Sequence, residues 1–484
     1  MFTPEEAPRV LSEEQLEAVH EQSMVVLEDI GLDVLWEPAR AIFADAGNSV
    51  DGVRVRFDRE WIMDMVGKVP STFTVQARNP ERSVSIGGGS RIMMPVGGSP
   101  FASDLDRGRR RGSLEDHDSL VRLGHSADAI RCLQSATVEA VELPVATRHM
   151  DMDYSVIRNS DKPYTTYGAS GVKVRDGIAL AEIWAGGRRA IEETPAILVI
   201  INPNSPLVWD ERMADALMAA AEANQPVVLT PFLLAGGTSP VSLAGALSIQ
   251  VAEALSGAAL AQAVRPGVPC MYGTFFTPLD MRTGSPAFGL PEGVLATLAG
   301  AQLARFYGMP YRGGGALASG NCVDAQAASE ATTSLWATYL SASDLVLHAA
   351  GWLEGGLTAS FEKFALDVEL LAQFERTAMG IGFSDEELAR DEIALMGPGG
   401  MYLESAHTMA HFKEWVYMSA LFTTPDYNTW ESTGSETLDR RANALWKEML
   451  ESWEDPGIDP AVDEALKDYI DMRKSEDPGD AEAG

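Results

Sequence analysis

Three cysteines in 484 residues, Cys132, Cys270 and Cys322, are too few and too scattered to staple a secreted scaffold or to form a CxxC metal site. Basic residues are also scarce: 37 Lys and Arg stand against 70 Asp and Glu, a formal charge of −33. Nucleic acid and anionic membrane surfaces are therefore not expected partners. A long uninterrupted apolar run is missing as well, because the most apolar segment, residues 241–264, carries Gln250, Glu253 and Gln262. Residues 1–30 lack the basic start and apolar centre of an export signal. These absences together predict a cytoplasmic protein with no membrane span. Its acidity reads either as a solvated surface, of the kind suited to a salty cell interior, or as a field that attracts a cationic substrate or a basic partner.

What is present is enough apolar sequence, 46%, for a large core. From residue 91 the pattern is strand, loop, helix, repeated. Candidate strands lie at 91–96, 131–136, 163–167, 196–201, 226–231, 269–274, 310–314 and 344–349, with helices near 116–129, 148–159, 173–188, 210–223, 240–264, 289–307, 324–342 and 361–378. This alternation predicts an α/β fold, a TIM (β/α)8 barrel over residues 91–379, in preference to an open doubly wound sheet. The glycines at 87–89 do not open a helix, so a dinucleotide fingerprint is excluded. Residues 1–90 read as an N-terminal helical and β-hairpin cap. Its first helix spans 12–30, with Ser12 and Gln15 spaced as a capping box. Residues 380–473 read as a C-terminal helical extension, with helices at 385–395, 402–422, 436–453 and 460–473, and 474–484 as a disordered tail.

The densest cluster of signals is residues 311–356, where a strand ends in Gly313, Gly314 and Gly315, a helix follows, and a second strand ends on His348. Glycines there permit positive φ or close backbone approach at the mouth, where such barrels keep their chemistry.

Several motifs carry a resemblance: Phe306-Tyr307-Gly308-Met309-Pro310, Asp324-Ala325-Gln326-Ala327, Ala349-Ala350-Gly351-Trp352-Leu353-Glu354, Ser360-Phe361-Glu362-Lys363 and Ala406-His407-Thr408-Met409-Ala410-His411-Phe412. In this order they make the chain similar, over nearly its whole length, to the trimethylamine methyltransferase (MttB) superfamily. The resemblance implies a methyltransferase that passes a methyl group to the cob(I)alamin of a separate corrinoid protein, with no cofactor held permanently. Members acting on trimethylamine carry pyrrolysine just ahead of the Asp-Ala-Gln-Ala motif. Here that loop reads Ala318-Ser319-Gly320-Asn321-Cys322-Val323, which resembles the non-pyrrolysine branch associated with quaternary amines such as glycine betaine. A homo-oligomer is expected.

The chemistry agrees with a quaternary amine, which leaves as a neutral tertiary amine and needs no general acid. Such a cation wants aromatic faces in a dry site. Trp352 and Phe276, in loops beyond their strands, are the first candidates, then Tyr167, with Phe275, Phe232 and Trp209 as further aromatics near strand ends. Each also reads as ordinary barrel core. His348 is expected against a substrate carboxylate or the corrinoid face, beside a loop carrying Asn321, Cys322, Asp324 and Gln326. Asp324 also reads simply as an N-cap. Arg312, within a strand, must pair with Glu330 or Asp344, or meet a betaine carboxylate. Asn202 is a turn former first and a polar ligand second. His407 and His411 lie one turn apart but lack a third ligand, so no metal site is expected. The basic run 107–111 reads as an exposed loop salt-bridged to its own surface. Two alternatives stay open: a barrel enzyme for another onium compound, such as a sulfonium demethylase or a lyase, and a non-catalytic betaine-binding protein.

Overall fold

A computed structural model describes residues 3–476 of the chain. Its centre is eight parallel strands: β1 (Ile92–Met93), β2 (Leu133–Gln134), β3 (Tyr164–Thr165), β4 (Ile197–Ile201), β5 (Val227–Leu229), β6 (Cys270–Gly273), β7 (Tyr311–Gly314) and β8 (Leu345–Leu347). From β2 to β8 each pairs with its successor, and β8 returns to β1. Where β1 meets β2, Met93 O accepts from Arg131 N and Cys132 N, which closes the ring into a TIM barrel. The strands are followed by α1 (Leu114–Ser126), α2 (Arg148–Asn159), α3 (Gly171–Ala185), α4 (Glu211–Glu222), α5 (Leu243–Val264), α6 (Pro291–Phe306), α7 (Ala325–Ser341) and α8 (Phe361–Ala378). Every strand and helix expected within the barrel region falls on one of these.

Strands buried on both faces are rich in apolar residues, and Met94, Leu198, Val228, Met271 and Leu345 fill the barrel interior. The N-terminal hairpin Phe73–Val75 with Val84–Ile86 plugs its floor, adding Val75, Val84 and Ile86 to the same cluster. The mouth at the opposite end is thereby the open one. The first cap helix, Glu13–Val25, has the expected capping box between Ser12 and Gln15, and stops through a single π turn at Gly31, φ 76°.

α5 is apolar on all sides because all sides are covered. It is long and apolar enough to cross a membrane, yet 78% of its most apolar stretch is buried, with the cap helices Glu13–Val25, Glu37–Asp45 and Arg59–Val66 packed on its outer face.

Four expectations need correction. The basic run is a strand, Gly108–Arg111, paired in a hairpin with Phe101–Asp104. Its arginines are held as expected, Arg107 and Arg110 on Asp104 and Asp116, Arg109 on Glu354. The helix expected over 402–422 is only Ala406–Trp415, and a short helix, Tyr427–Ser432, was not foreseen. The one expected over 385–395 breaks at Ala389, φ 49°. The last helix runs to Ser475, beyond the expected start of the tail, and residues 477–484 lie outside the described residues.

Candidate functional site

The barrel mouth holds a cavity of about 440 Å³. It is built from strand ends in chain order: Gly97 and Gln134 after β1 and in β2, Thr166 and Tyr167 after β3, Asn202 after β4, Phe232 after β5, Phe275 after β6, Arg312 in β7, and His348 with Trp352 after β8. Phe232 and Phe275 belong to a parallel ladder, Phe232–Ala235 with Phe275–Pro278, which prolongs β5 and β6 beyond the barrel proper. Because neighbouring residues on a strand face opposite ways, Phe275 enters the cavity and Phe276 cannot. Phe276 packs instead with Leu233, Ala246 and Ala296 of the helical layer, which removes it from the expected cage. Trp209 is removed too: it lies buried against Gly257 of α5 with its Nε1 donating to Ser256 Oγ, 3.0 Å.

The aromatic wall is continuous. Phe275 stacks on Phe232 at 4.5 Å and on Phe288 at 5.6 Å, and meets the edge of Trp352 at 6.0 Å. His348 lies 4.3 Å from Trp352 and 5.8 Å from Phe275. Phe288, unforeseen in the sequence, comes from the long loop between β6 and α6, where no periodicity marks it. Tyr167 stands on the cavity's other side, its hydroxyl donating to Glu139 Oε1 at 2.8 Å, with Arg148 2.8 Å from the second carboxylate oxygen. Glu139 and Arg148 were likewise missed.

His348 is held in an unusual backbone state. Its φ is 61°, a conformation costing a side-chain-bearing residue on the order of 1–2 kcal/mol. The turn is pinned on both sides, by Ala316 N donating to His348 O and Ala349 N donating to Met94 O. Gly315 permits this contact, since a Cβ there would lie 2.4 Å from Ala349 Cα. The glycines at 313–315 thus serve close approach and not positive φ. Burial holds the imidazole well below its ordinary pKa, and Arg312 adds to this, so His348 is neutral.

Arg312 is the most consequential side chain. It is 1% exposed, and Nη1 donates to Thr274 O at 2.7 Å. Among the described residues no carboxylate is paired with it, and the two expected partners are engaged elsewhere: Asp344 accepts from Gly89 N, Ser90 N and Tyr311 N, and Glu330 from Ser319 N, Gly320 N and Gln326 Nε2. Burial pushes its pKa down to about 10, which leaves it charged at neutral pH. Arg312 Nε, His348 Nδ1 and Trp352 Nε1 are all buried without a hydrogen-bond partner.

The loop ahead of α7 does not line the cavity. Asn321, Cys322, Asp324 and Gln326 are exposed. Asp324 caps α7 by accepting from Ala327 N, Gln326 is held by Glu330, and Cys322 lies 3.7 Å from Asp324. The loop braces the cavity from behind, through Ser319 Oγ on Phe288 N and Gly320 O on Glu354 N. His407 Nε2 donates to Glu386 O, and His411 sits on the Glu386 carboxylate and stacks on Trp415. Among the described residues no group of three or more His, Cys, Asp and Glu could hold a metal ion.

A barrel whose mouth gathers a buried guanidinium and an aromatic wall places the chain among α/β-barrel proteins with their site at the C-terminal ends of the strands. The family described as trimethylamine methyltransferase (MTTB) matches residues 4–478, and the chain belongs to it. The glycine betaine methyltransferase of Desulfitobacterium hafniense (strain Y51) is 39% identical over 467 residues, 96% of this chain and 97% of that protein. The proline betaine:corrinoid methyltransferase of Eubacterium limosum is 29% identical over 426 residues, 86% of this chain and 87% of that one. The crystal structure of the Methanosarcina barkeri monomethylamine methyltransferase (MtmB) superposes with a TM-score of 0.52 at 12% identity, covering 94% and 90% of the two chains, and speaks for the fold alone.

Proposed function

We propose that this chain transfers a methyl group from a zwitterionic quaternary amine of the glycine betaine type to the cob(I)alamin of a separate corrinoid protein. The observation that carries the choice of substrate is Arg312, a charged, buried guanidinium with no carboxylate partner. It repels a simple cation and accepts a carboxylate by a bidentate fork. His348 Nδ1 and Trp352 Nε1, both unpartnered, are further donors for the same group once His348 adopts the Nδ1–H tautomer. The ammonium end then falls among Trp352, Phe288, Phe232 and Tyr167, where a desolvated cation gains on the order of 2 kcal/mol per aromatic face.

The cavity suits a betaine and is too small for a corrinoid macrocycle, which supports presentation of that group at the rim by another protein. Docked there, a reduced corrinoid supplies the nucleophile. The chain's own residues do the rest: Arg312 fixes the carboxylate, the aromatic wall strips water from the ammonium, and together they hold one methyl toward the rim. The C–N electron pair stays on nitrogen as the methyl leaves, so the product is a neutral tertiary amine and no residue has to donate a proton. The exposed Cys322 has no covalent role in this scheme, and the sequence has no pyrrolysine in that loop.

Incubation with cob(I)alamin and a substrate panel, following cobalt alkylation by absorbance, tests the reading. Glycine betaine should alkylate, and choline and trimethylamine should be poor. Binding of betaine without alkylation would favour the non-catalytic alternative, and equal use of choline would remove the role given to Arg312.

A further inference from the structure

Behind the cavity, near its start, α8 buries an ion pair that does not line it. Lys363 and Asp367 lie one turn apart, both side chains fully buried, with Lys363 Nζ on Asp367 Oδ1 at 2.5 Å. The pair is badly placed to stabilise its own helix. An ammonium in the first turn meets the positive end of the helix dipole, and Lys ahead of Asp is the weaker order for a pair spaced i,i+4. Burial also works against both charges, lowering the pKa of Lys363 and raising that of Asp367 to about 6. Two apolar residues of similar volume often hold a core at least as well as such a pair. What the pair touches gives it another reason to be there.

Asp367 Oδ2 accepts from Gly351 N at 2.8 Å, and Lys363 Nζ reaches Ala316 O at 3.4 Å. Gly351 stands between His348 and Trp352, and Ala316 N is the group that holds His348 O. Both segments that shape this side of the mouth are thus tied to one point on α8. The turn needs such a tie. His348 and Gly351 both have positive φ, 61° and 95°, and a strained backbone persists only where its surroundings over-determine it. Further ties run main chain to main chain, from Ala349 N to Met94 O, Val96 N to Ala350 O and Ser360 N to Gly351 O. Space is tight as well: a Cβ on Gly351 would lie 3.1 Å from Val96 Cγ1 and 3.7 Å from Phe364 Cβ. We propose that Asp367, charge-balanced by Lys363, is a positioning residue: it locks this turn so that His348 and Trp352 face the cavity before substrate arrives. The identity of that substrate as a betaine rests on the function proposed above, and the locking itself does not.

Calorimetric titration and denaturant unfolding of two double variants test the lock. Lys363→Met with Asp367→Leu severs the tie to Gly351 N, whereas Lys363→Met with Asp367→Asn keeps an uncharged acceptor for it. With the released turn competent about a tenth of the time, the first should raise the betaine Kd about tenfold, and the second should hold it within about threefold of wild type. A purely structural role would shift the unfolding midpoint and leave both Kd values at wild type, which overturns the proposal. Equal weakening in both variants overturns it too, because the charge and not the bond to Gly351 would then matter. Hydrogen exchange of the wild-type chain decides if the variants do not fold. Without substrate, the amides of Ala349 and Gly351 should exchange no faster than those of β4 and β5. Exchange about 100-fold faster, with protection arriving only when betaine is added, refutes the lock. A wild-type chain that protects these amides but binds no betaine counts against the substrate assignment alone.

Discussion

Replacing Arg312 by Met should weaken betaine binding and at the same time stabilise the empty protein. The guanidinium is buried, and its depression to about 10 corresponds to on the order of 3 kcal/mol of unfavourable charge burial. Against this stands one hydrogen bond, to Thr274 O, worth about 1 kcal/mol net. Methionine fills a similar volume without the charge, so the substrate-free variant should gain about 2 kcal/mol, the balance of those two terms. The bound state moves the other way. Removing one partner of a buried charge pair costs about 2–5 kcal/mol, a loss of roughly 30- to 5,000-fold in betaine affinity. Choline lacks the carboxylate, and relieved of repulsion it should bind the variant no worse than the wild type. Calorimetric titration with both ligands and denaturant unfolding without ligand provide the readouts. A variant that binds betaine normally refutes the anchor. One that loses choline and betaine by the same factor shows that Arg312 only shapes the cavity.

Phe232→Leu and Trp352→Leu should each raise the betaine Kd by about 1–2 kcal/mol, the worth of a desolvated cation–π contact. Phe276→Leu and Trp209→Phe, which touch the core and not the cavity, should lower unfolding stability and leave Kd within about twofold, because core truncations act on folding. Cys322→Ser should keep kcat within about twofold, since the exposed thiol has its pKa raised by partial burial and by Asp324 and is a poor nucleophile; inactivity would demand a covalent cysteine route. His117 is fully buried between Met152 O and Thr137 Oγ1, and burial pushes its pKa down to about 4. Its unfolded form takes up a proton near pH 6.5 while the native form does not, so stability falls from pH 6.5 toward 4, by about 3 kcal/mol from this group. His117→Gln should therefore show a shallower acid limb in denaturant unfolding, and an identical slope would refute the assignment.

The barrel was legible because each strand is short, mostly apolar and set off by turn residues, while each helix between them is long enough to be unambiguous. The C-terminal extension was not. Its apolar residues keep no 3.6-residue stripe toward this chain's own core, so residues 402–422 read as one helix although Val416 to Phe422 is extended or turning. In the basic run the ion pairs to the chain's own surface were legible and the strand was not: Gly108 to Arg111 pairs with Phe101–Asp104 in a hairpin, while Asp104 and Asp116 hold Arg107 and Arg110.

At the mouth the difficulty is parity. Phe275 and Phe276 are adjacent and chemically identical, so composition cannot tell which one faces the cavity. Register decides: Phe232 pairs with Phe275 and Leu233 with Phe276, so the phenylalanine pair shares one face and the other two residues share the opposite one. The sequence carried a hint of this, since the face opposite Phe232 is occupied by Leu233 and Ala235, residues suited to packing on helices. Arg312 follows the same logic in β7. Its guanidinium lies over Phe275 and donates to Thr274 O, and among the described residues no carboxylate is paired with it. An unpaired buried charge is a cost that a stable fold avoids unless something outside the chain neutralises it, and in the function proposed above that cost, read from Arg312, is what separates a betaine from a plain quaternary amine.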